Sequence, residues 1–195
     1  MNRKLERGQA TREQLLAIAT RLFAERGYDD ASIELVLQES GVSRGALYYH
    51  FKSKEALFEA VLDRVMQDVA GRLQAAMAGT SDIPSGLRAA CLGWIQLAGD
   101  PVVQRIVLVD APSVLGWQRW REMDEGRTLG QIKASLAAVA EIGRLDHALV
   151  DVMAHVWLAA LDEIAMYIAR AEDGEAAVRA GEAAVDSMLQ GLLGV

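Results

Sequence analysis

The stretch GVSRGALYYHFKSKEALF, residues 41–58, sets a glycine beside a short run of cationic and aromatic residues and then begins an apolar helical stripe. Gly41 separates two short segments whose apolar residues recur at helical spacing. Ser43 stands where the N-cap of the second segment is expected, and Ser53 stands where the next helix should begin. Two short helices joined by a glycine turn predict a helix-turn-helix over about residues 32–51.

The second short helix should turn its apolar residues toward the preceding helices and leave a polar set exposed. That set is Ser43, Arg44, Gly45, Ala46, Tyr48, Tyr49 and His50. A guanidinium can pair with a guanine edge or a phosphate, tyrosine and histidine can donate to phosphates, and small residues allow close approach to the groove. Lys54 adds its charge at the next helix N-terminus, which is a favourable phosphate site. The set predicts a DNA recognition helix; the alternative is an amphipathic solvated helix.

Composition indicates an all-helical protein. The chain has 195 residues, of which 52% are apolar and only three are proline. Cys91 is the single cysteine, which excludes an internal disulfide and a zinc site built from several cysteines. The N-terminus lacks the apolar core of a signal peptide, and no apolar run predicts a transmembrane helix. We therefore expect a cytoplasmic protein that spans no membrane.

Charge is divided unevenly along the chain. Residues 1–64 are neutral by formal charge, whereas residues 65–195 carry the whole net charge of −7. Such acidity argues against a protein that covers DNA without sequence preference, but it is compatible with a local basic surface. Residues 1–9, with Arg3, Lys4 and Arg7, are predicted as a basic flexible arm that either reaches DNA or stays disordered without it.

Helical periodicity continues along the whole chain. The first helix is predicted at residues 11–26, with Gly27 as its C-cap, and a long fourth helix at residues 53–78. Beyond Pro84, glycine and proline breaks predict five further helices, at residues 84–98, 101–110, 113–142, 147–172 and 175–193.

The head of the chain resembles the TetR family of transcriptional regulators. The resemblance is carried by GVSRGALYYHFKSKEALFEAV from Gly41 and by ATRLFAERGYDDASIELVLQESG from Ala19. It implies a three-helix DNA-binding head over residues 10–65 and a helical ligand-binding and dimerisation domain over residues 66–195. It also implies a homodimer on double-stranded DNA with an inverted repeat, no cofactor, and repression that a small molecule relieves.

The positions that contact DNA in the family can be matched to residues of this chain. The resemblance implies that Ser43, Arg44, Gly45 and Ala46 face the groove. It implies that the DNA backbone is held by Tyr48, Tyr49, His50, Lys54 and Ser32. The chain departs from the family in the second helix, where an acid, an isoleucine and an alanine are usual and this sequence has Leu35, Val36 and Leu37.

Aromatic residues and methionine in the C-terminal part form a candidate ligand site. Trp117, Trp120 and Met123 share one helical face, and Trp94 and Trp157 lie on other predicted helices. A cleft lined by such side chains would suit a flat or largely apolar effector. The alternative is that these residues are ordinary core.

Four polar residues interrupt otherwise apolar helices: Asp110, His155, Asp162 and Glu163. Buried acids need a partner, so the acids could face a cationic effector, pair with arginines such as Arg105 or Arg119, or lie at a dimer interface. For Asp162 and Glu163 we favour pairing or the interface. His155 is expected to be a core histidine rather than a ligand, and no metal site is predicted.

The last two helices are the expected dimer surface because small side chains allow close approach of helices. The candidate residues are Val152, Val156, Ala159, Ala160, Ala176, Ala177, Ala180, Ala183, Ala184, Met188, Leu189 and Leu192. Packing within one subunit is the alternative. No motif of a hydrolase or nucleotide-binding enzyme occurs, so we expect a DNA-binding regulator rather than an enzyme or a ligand-binding protein whose head does not read DNA.

Overall fold

The computed structural model of the chain describes residues 3–193, with side chains throughout except at residues 3–5, 124, 125, 127 and 193. Within that range the regular structure is helical, as the composition predicted. The α-helices are α1 (Arg3–Asp30), α2 (Ile33–Ser40), α3 (Arg44–His50), α4 (Lys54–Ala78), α5 (Ile83–Ala98), α6 (Ala111–Leu115), α7 (Trp117–Asp124), α8 (Gly130–Glu141), α9 (Val150–Arg170) and α10 (Gly174–Leu193). Two π-helical segments cover Val103–Asp110 and Glu125–Leu129, and a 3-10 turn covers His147–Leu149.

The predicted helix-turn-helix is confirmed, because α2 and α3 are joined at Gly41. Gly41 ends α2 in the left-handed conformation, with φ 65° and ψ 7°, which glycine adopts at little cost. The hydroxyl of Ser32 accepts the N–H of Leu35 and caps α2. Because α3 has only seven residues, it depends on tertiary packing, and Leu47 supplies this packing from a fully buried position.

Gly27 interrupts α1 with a non-helical backbone at φ 80° and ψ 170°. The prediction that the helix breaks there is confirmed, although one further helical turn follows to Asp30. The start of α1 was predicted wrongly. Residues 3–9 form the first turns of α1, ahead of the predicted start at residue 11, and the side chains of Arg3 and Lys4 lie outside the described residues.

Helix α4 connects the head with the rest of the chain, which we call the body. Its 25 residues give a length of about 37 Å at 1.5 Å per residue. Leu57 and Phe58 are fully buried in the head, and the later part packs against α5. The domain boundary predicted between residues 65 and 66 therefore lies inside a continuous helix.

The body is built around α5, which packs against α4, α8, α9 and α10. By length and hydropathy alone, residues 147–170 could cross a membrane, but α9 is packed against α5, α8 and α10 and carries the buried Asp162. It has the character of a core helix. Trp157 on α9 donates its indole N–H to the sulfur of Cys91 at 3.3 Å, and burial raises the pKa of that thiol to about 11.

Residues 101–142 contain the largest errors of helix prediction. The single helix expected over residues 113–142 is broken at Gly116, whose φ of 81° and ψ of 146° lie outside any helix, and again by π-helical turns. Pro112, in contrast, does not break the chain. It lies in the first turn of α6, where a missing N–H is tolerated. The segment Val103–Asp110 is wound as a π-helix, a rare geometry that is concentrated at functional sites.

Candidate nucleic-acid interface and effector region

Helix α3 buries Leu47 and leaves most of its polar residues exposed, with Gly45 and Tyr49 farthest from Leu47 around the helix. Tyr49 is the most exposed of them at 76%, and Tyr48 is 37% exposed. Arg44 lies one turn before Tyr48, and Gly45 lies one turn before Tyr49, so the four residues form two adjoining stripes. Ser43, Arg44 and Gly45 are exposed, while Ala46 and His50 are half-buried along a third stripe. The sequence-predicted residues of α3 are thus brought together on one surface.

Arg44 is held by an acidic neighbour on α2. Its Nη2 lies 2.8 Å from the carboxylate of Glu34, and both side chains are mostly exposed. The pKa of Glu34 is lowered, first by a hydrogen bond from its own backbone N–H and then by the hydrogen bond from Arg44. Glu34 is therefore anionic at neutral pH and competes with any other acceptor for the Nη2 donors of Arg44.

Lys54 lies at the first residue of α4 and faces the end of α1. Its ammonium is 4.4 Å from the ring centre of Tyr28 and donates to the backbone carbonyl of Asp29 at 3.1 Å. Burial, followed by the carboxylates of Glu55 and Asp29, raises the pKa of the Tyr28 phenol. A cation that is half-buried and held in this way is already oriented, so it can meet a phosphate without ordering a long free side chain.

Arg12 on α1 is a cation near α3 that was not selected from the sequence. Its guanidinium lies 5.4 Å from the ring centre of Phe51, the residue that ends α3. The sequence pointed to Arg12 only through its place in the basic N-terminal stretch. Its contact with Phe51 could not be predicted, because the two residues are 39 positions apart.

The predicted ligand residues are brought together only in part. Trp117 and Trp120 meet with ring centres 4.9 Å apart, Trp117 being 54% exposed and Trp120 only 4%. Met123 is half-buried and packs against the core. Trp94 and Trp157 are anchored on other helices through their indole N–H groups, which bond to the carbonyl of Leu161 and to Cys91.

The four polar residues that lie within apolar helices have different environments. Asp110 and Asp162, both 6% exposed, are held by Arg105 at 3.2 Å and Arg121 at 3.5 Å. Pairing, one of the two alternatives favoured for Asp162, is therefore confirmed, and among the three alternatives left open for Asp110 the structure shows the pairing with an arginine.

The other two interrupting polar residues are on the surface. Glu163 is exposed on α9, and His155 is exposed too, so the expectation of a core histidine was wrong. Arg119, offered as a partner for these acids, instead contacts Glu59 of α4 at 2.6 Å.

The outer face of α9 and α10 is open and carries exposed apolar side chains among charged ones. Val152, Val156 and Tyr167 are each more than half exposed, and Ala180 and Ala183 of α10 are also exposed. A groove of about 650 Å³ lies along this face, and both apolar and charged residues line it: Tyr167, Ala171, Ala176, Ala177, Ala180, Glu163, Arg170, Glu172 and Asp173. Leu189, in contrast, is buried inside the subunit, so it is not part of this face, and Ala177 reaches the groove only at its base.

Comparisons with known proteins match both parts of the chain. A family model described as "Bacterial regulatory proteins, tetR family" matches residues 15–61, and one described as "Tetracyclin repressor-like, C-terminal domain" matches residues 84–192. A solved TetR-family transcriptional regulator from Pectobacterium atrosepticum is 33% identical, with 96% of each chain covered and a TM-score of 0.84. This chain belongs to the TetR family.

Curated relatives of this TetR-family chain match over the head and little more. A transcriptional activator, FasR, of Mycolicibacterium smegmatis is 39% identical over 79 residues, which are 40% of this chain and 36% of that protein. A transcriptional repressor of Mycobacterium tuberculosis is 50% identical over 52 residues, which are 27% of this chain and 28% of that protein. The chain thus spans about a third of these curated relatives, and the two differ in the direction of regulation.

Ser43 allows folding to be separated from recognition in this TetR-family head. Its hydroxyl accepts the N–H of Ala46 at 3.3 Å, as that of Ser53 accepts the N–H of Ala56 at 3.0 Å. We expect Ser43→Ala and Ser53→Ala each to lower the free energy of unfolding by about 0.5–2 kcal/mol in urea denaturation, because each removes an N-cap. Only Ser43→Ala should also weaken DNA binding beyond that loss. Equal effects on DNA binding would show that Ser43 acts only as a cap.

Proposed function

We propose that this chain is a homodimeric repressor that binds an inverted-repeat operator in double-stranded DNA and leaves it when a small, largely apolar effector binds. The observation that carries the proposal is α3, whose exposed arginine, tyrosines and small residues stand on a helix pinned by the buried Leu47. Family membership supports a regulator rather than an enzyme, and we propose no catalytic activity and no cofactor. A cytoplasmic location follows from the proposed access to chromosomal DNA.

Within this proposal the residues divide by task. Arg44 reads a base edge in competition with Glu34, and Gly45 and Ala46 let the helix approach the groove floor. Ser43 faces the groove beside them, and backbone contacts that fix the register come from Ser32, Tyr48, Tyr49, His50 and Lys54.

The effector is proposed to bind near the adjacent, mutually tilted rings of Trp117 and Trp120, with Met123, Trp94 and Trp157 as further candidates. Arg119 follows Trp117 by two residues and contacts Glu59 of α4 at 2.6 Å. An effector that moves α7 would therefore act on α4, which runs unbroken into the head. By swinging the two heads off the spacing of one DNA turn, about 34–36 Å between half-sites, it would release the operator.

Substitutions of Arg44 and of Tyr49 should weaken operator binding in different ways. With an operator selected from genomic fragments, we expect Arg44→Ala to weaken binding by about 1–3 kcal/mol and to relax preference at one position in each half-site. Tyr49→Phe should weaken all sequences alike, because it removes a phosphate contact. Fluorescence anisotropy with labelled duplexes measures both effects.

Two controls sharpen this experiment. Arg44→Ala repeated in a Glu34→Gln background separates the lost contact from the unpaired Glu34 charge. Arg88→Ala removes an equal charge from the body, where Arg88 pairs with Asp186 at 2.7 Å. Unchanged affinity for Arg44→Ala and Tyr49→Phe, with native circular dichroism, would contradict the proposal.

The dimer surface is proposed to be the open face of α9 and α10. We expect Ala180→Glu to shift the protein from dimer to monomer in sedimentation velocity at micromolar concentration, because it places a charge in a closely packed interface. Ala134→Glu, at an exposed position of α8, is the matched control and should leave the dimer intact. A dimer that survives Ala180→Glu would place the interface elsewhere.

Binding of the effector should weaken the affinity for the operator, and binding of the operator should weaken the affinity for the effector by the same factor. All four tryptophans lie in the body, so small apolar compounds can be screened by quenching of tryptophan fluorescence. A compound that quenches should weaken operator binding roughly 5- to 150-fold, and the operator should weaken binding of that compound equally. Quenching lost in Trp117→Phe would assign the site. A tight quencher that leaves operator affinity unchanged would exclude this site as the regulatory one.

A further inference from the structure

A buried carboxylate of the body holds the backbone of the head. Asp110, at the last residue of the first π-helical segment, is 6% exposed. Its Oδ2 accepts the backbone N–H of Tyr28 at 2.7 Å, a contact that joins residues 82 positions apart. Arg105 Nε donates to the same oxygen at 3.3 Å. A buried carboxylate is costly without donors, so the Tyr28 N–H and the guanidinium together stabilise it in this position.

Gly27 allows Arg105 of the body to lie close against the backbone of α1. Gly27 is buried at φ 80°, and a Cβ added there would lie 1.8 Å from Nη2 of Arg105. The guanidinium therefore occupies the space that any other side chain would fill. The break in α1 and the arginine of the body thus fit each other, and Asp110 anchors both.

Tyr28 connects this contact to the proposed DNA surface. Its ring lies 5.9 Å from Phe23 of α1 and 5.1 Å from Phe58 of α4, centre to centre. The same ring lies under the Lys54 ammonium at 4.4 Å. Asp110 thus holds the backbone of the residue on which a proposed phosphate contact rests. A shift of Asp110 would displace Tyr28, and with it Lys54 and the start of α4.

We propose that Asp110 is a positioning residue that sets the angle of the DNA-binding head on the body. The proposal rests on the DNA-binding function argued above. It makes the Asp110–Tyr28 hydrogen bond a further connection between the head and the body, beside the continuous helix α4. Asp110 is also the last residue of the first π-helical segment, and only the six residues of α6 and Gly116 separate it from Trp117 in the proposed effector region.

The test uses the full-length dimer with one spin label per subunit. Gln38→Cys places the label on an exposed position of α2 outside the proposed contacts, and the buried Cys91 is not expected to react. Head-to-head distances are measured by pulsed electron paramagnetic resonance, without DNA. Asp110→Asn should broaden or shift the distance distribution, and Arg105→Gln should do so in the same direction. Asp186→Asn, which removes an aspartate–arginine pair within the body, should leave it unchanged.

Spacing preference provides a readout that lost stability would not change. Asp110→Asn should weaken operator binding about 10-fold, the order expected for one charge-assisted hydrogen bond. It should also reduce discrimination against an operator whose half-sites are moved apart by one base pair. A merely destabilised protein would lose affinity for both operators equally and keep its discrimination.

Failure of this inference can be told from failure of the proposed function. If Arg44→Ala has no effect on DNA binding, the function is wrong, but the distance measurement still tests Asp110. Unchanged distance distributions in both Asp110→Asn and Arg105→Gln would overturn the positioning role. If Asp110→Asn does not fold, Arg105→Gln carries the test alone, because Arg105 is largely exposed and its loss removes the guanidinium that holds the Asp110 carboxylate toward the Tyr28 N–H.

Discussion

Burial of Leu47 is the constraint on which the DNA-reading surface depends. A helix of seven residues is unstable alone in water, so α3 exists because Leu47 is fully buried in the head and Phe51 is almost so. That burial determines which side of α3 faces outward, and hence that Arg44, Tyr48 and Tyr49 share a surface. The short helix has little freedom to rotate, and its exposed side chains are presented at a defined angle.

The head and the body are joined by polar contacts as well as by the continuous α4. The Tyr28 N–H bonds to Asp110, and Arg119 pairs with Glu59. Directional contacts of this kind specify an angle more closely than apolar packing does, and one change of partner can alter them. The body segment Val103–Asp110 also packs against α1 and α4, so these polar contacts act beside an apolar interface.

Features encoded locally could be predicted from the sequence. Helical periodicity and the serine caps placed α2, α3 and the start of α4, and Gly41 marked the turn between the first two. Gly116 was missed because a glycine inside a periodic stretch reads the same whether it is helical, as Gly71 is, or has a positive φ. The π-helical winding was missed because periodicity does not separate it from an α-helix over eight residues.

Contacts between distant residues could not be predicted in the same way. Asp110 was recognised as an acid needing a partner, and Arg105 was one of two arginines offered for the buried acids, but nothing in the sequence links Asp110 to the Tyr28 backbone. His155 was taken for a core residue because its neighbours are apolar, whereas they form an outer face of α9 that is open in the single subunit. An apolar stripe alone does not tell whether its partner lies in the same chain or in another.

The central claim is that two copies of α3, one from each subunit of a dimer, read one face of an operator. Hydroxyl-radical footprinting of the promoter fragment that the protein selects tests this directly. The account predicts two protected patches on the same face of the duplex, with centres about 34–36 Å apart, and loss of both patches in Arg44→Ala. A single patch, uniform protection along the fragment, or a footprint that persists in Arg44→Ala would contradict it.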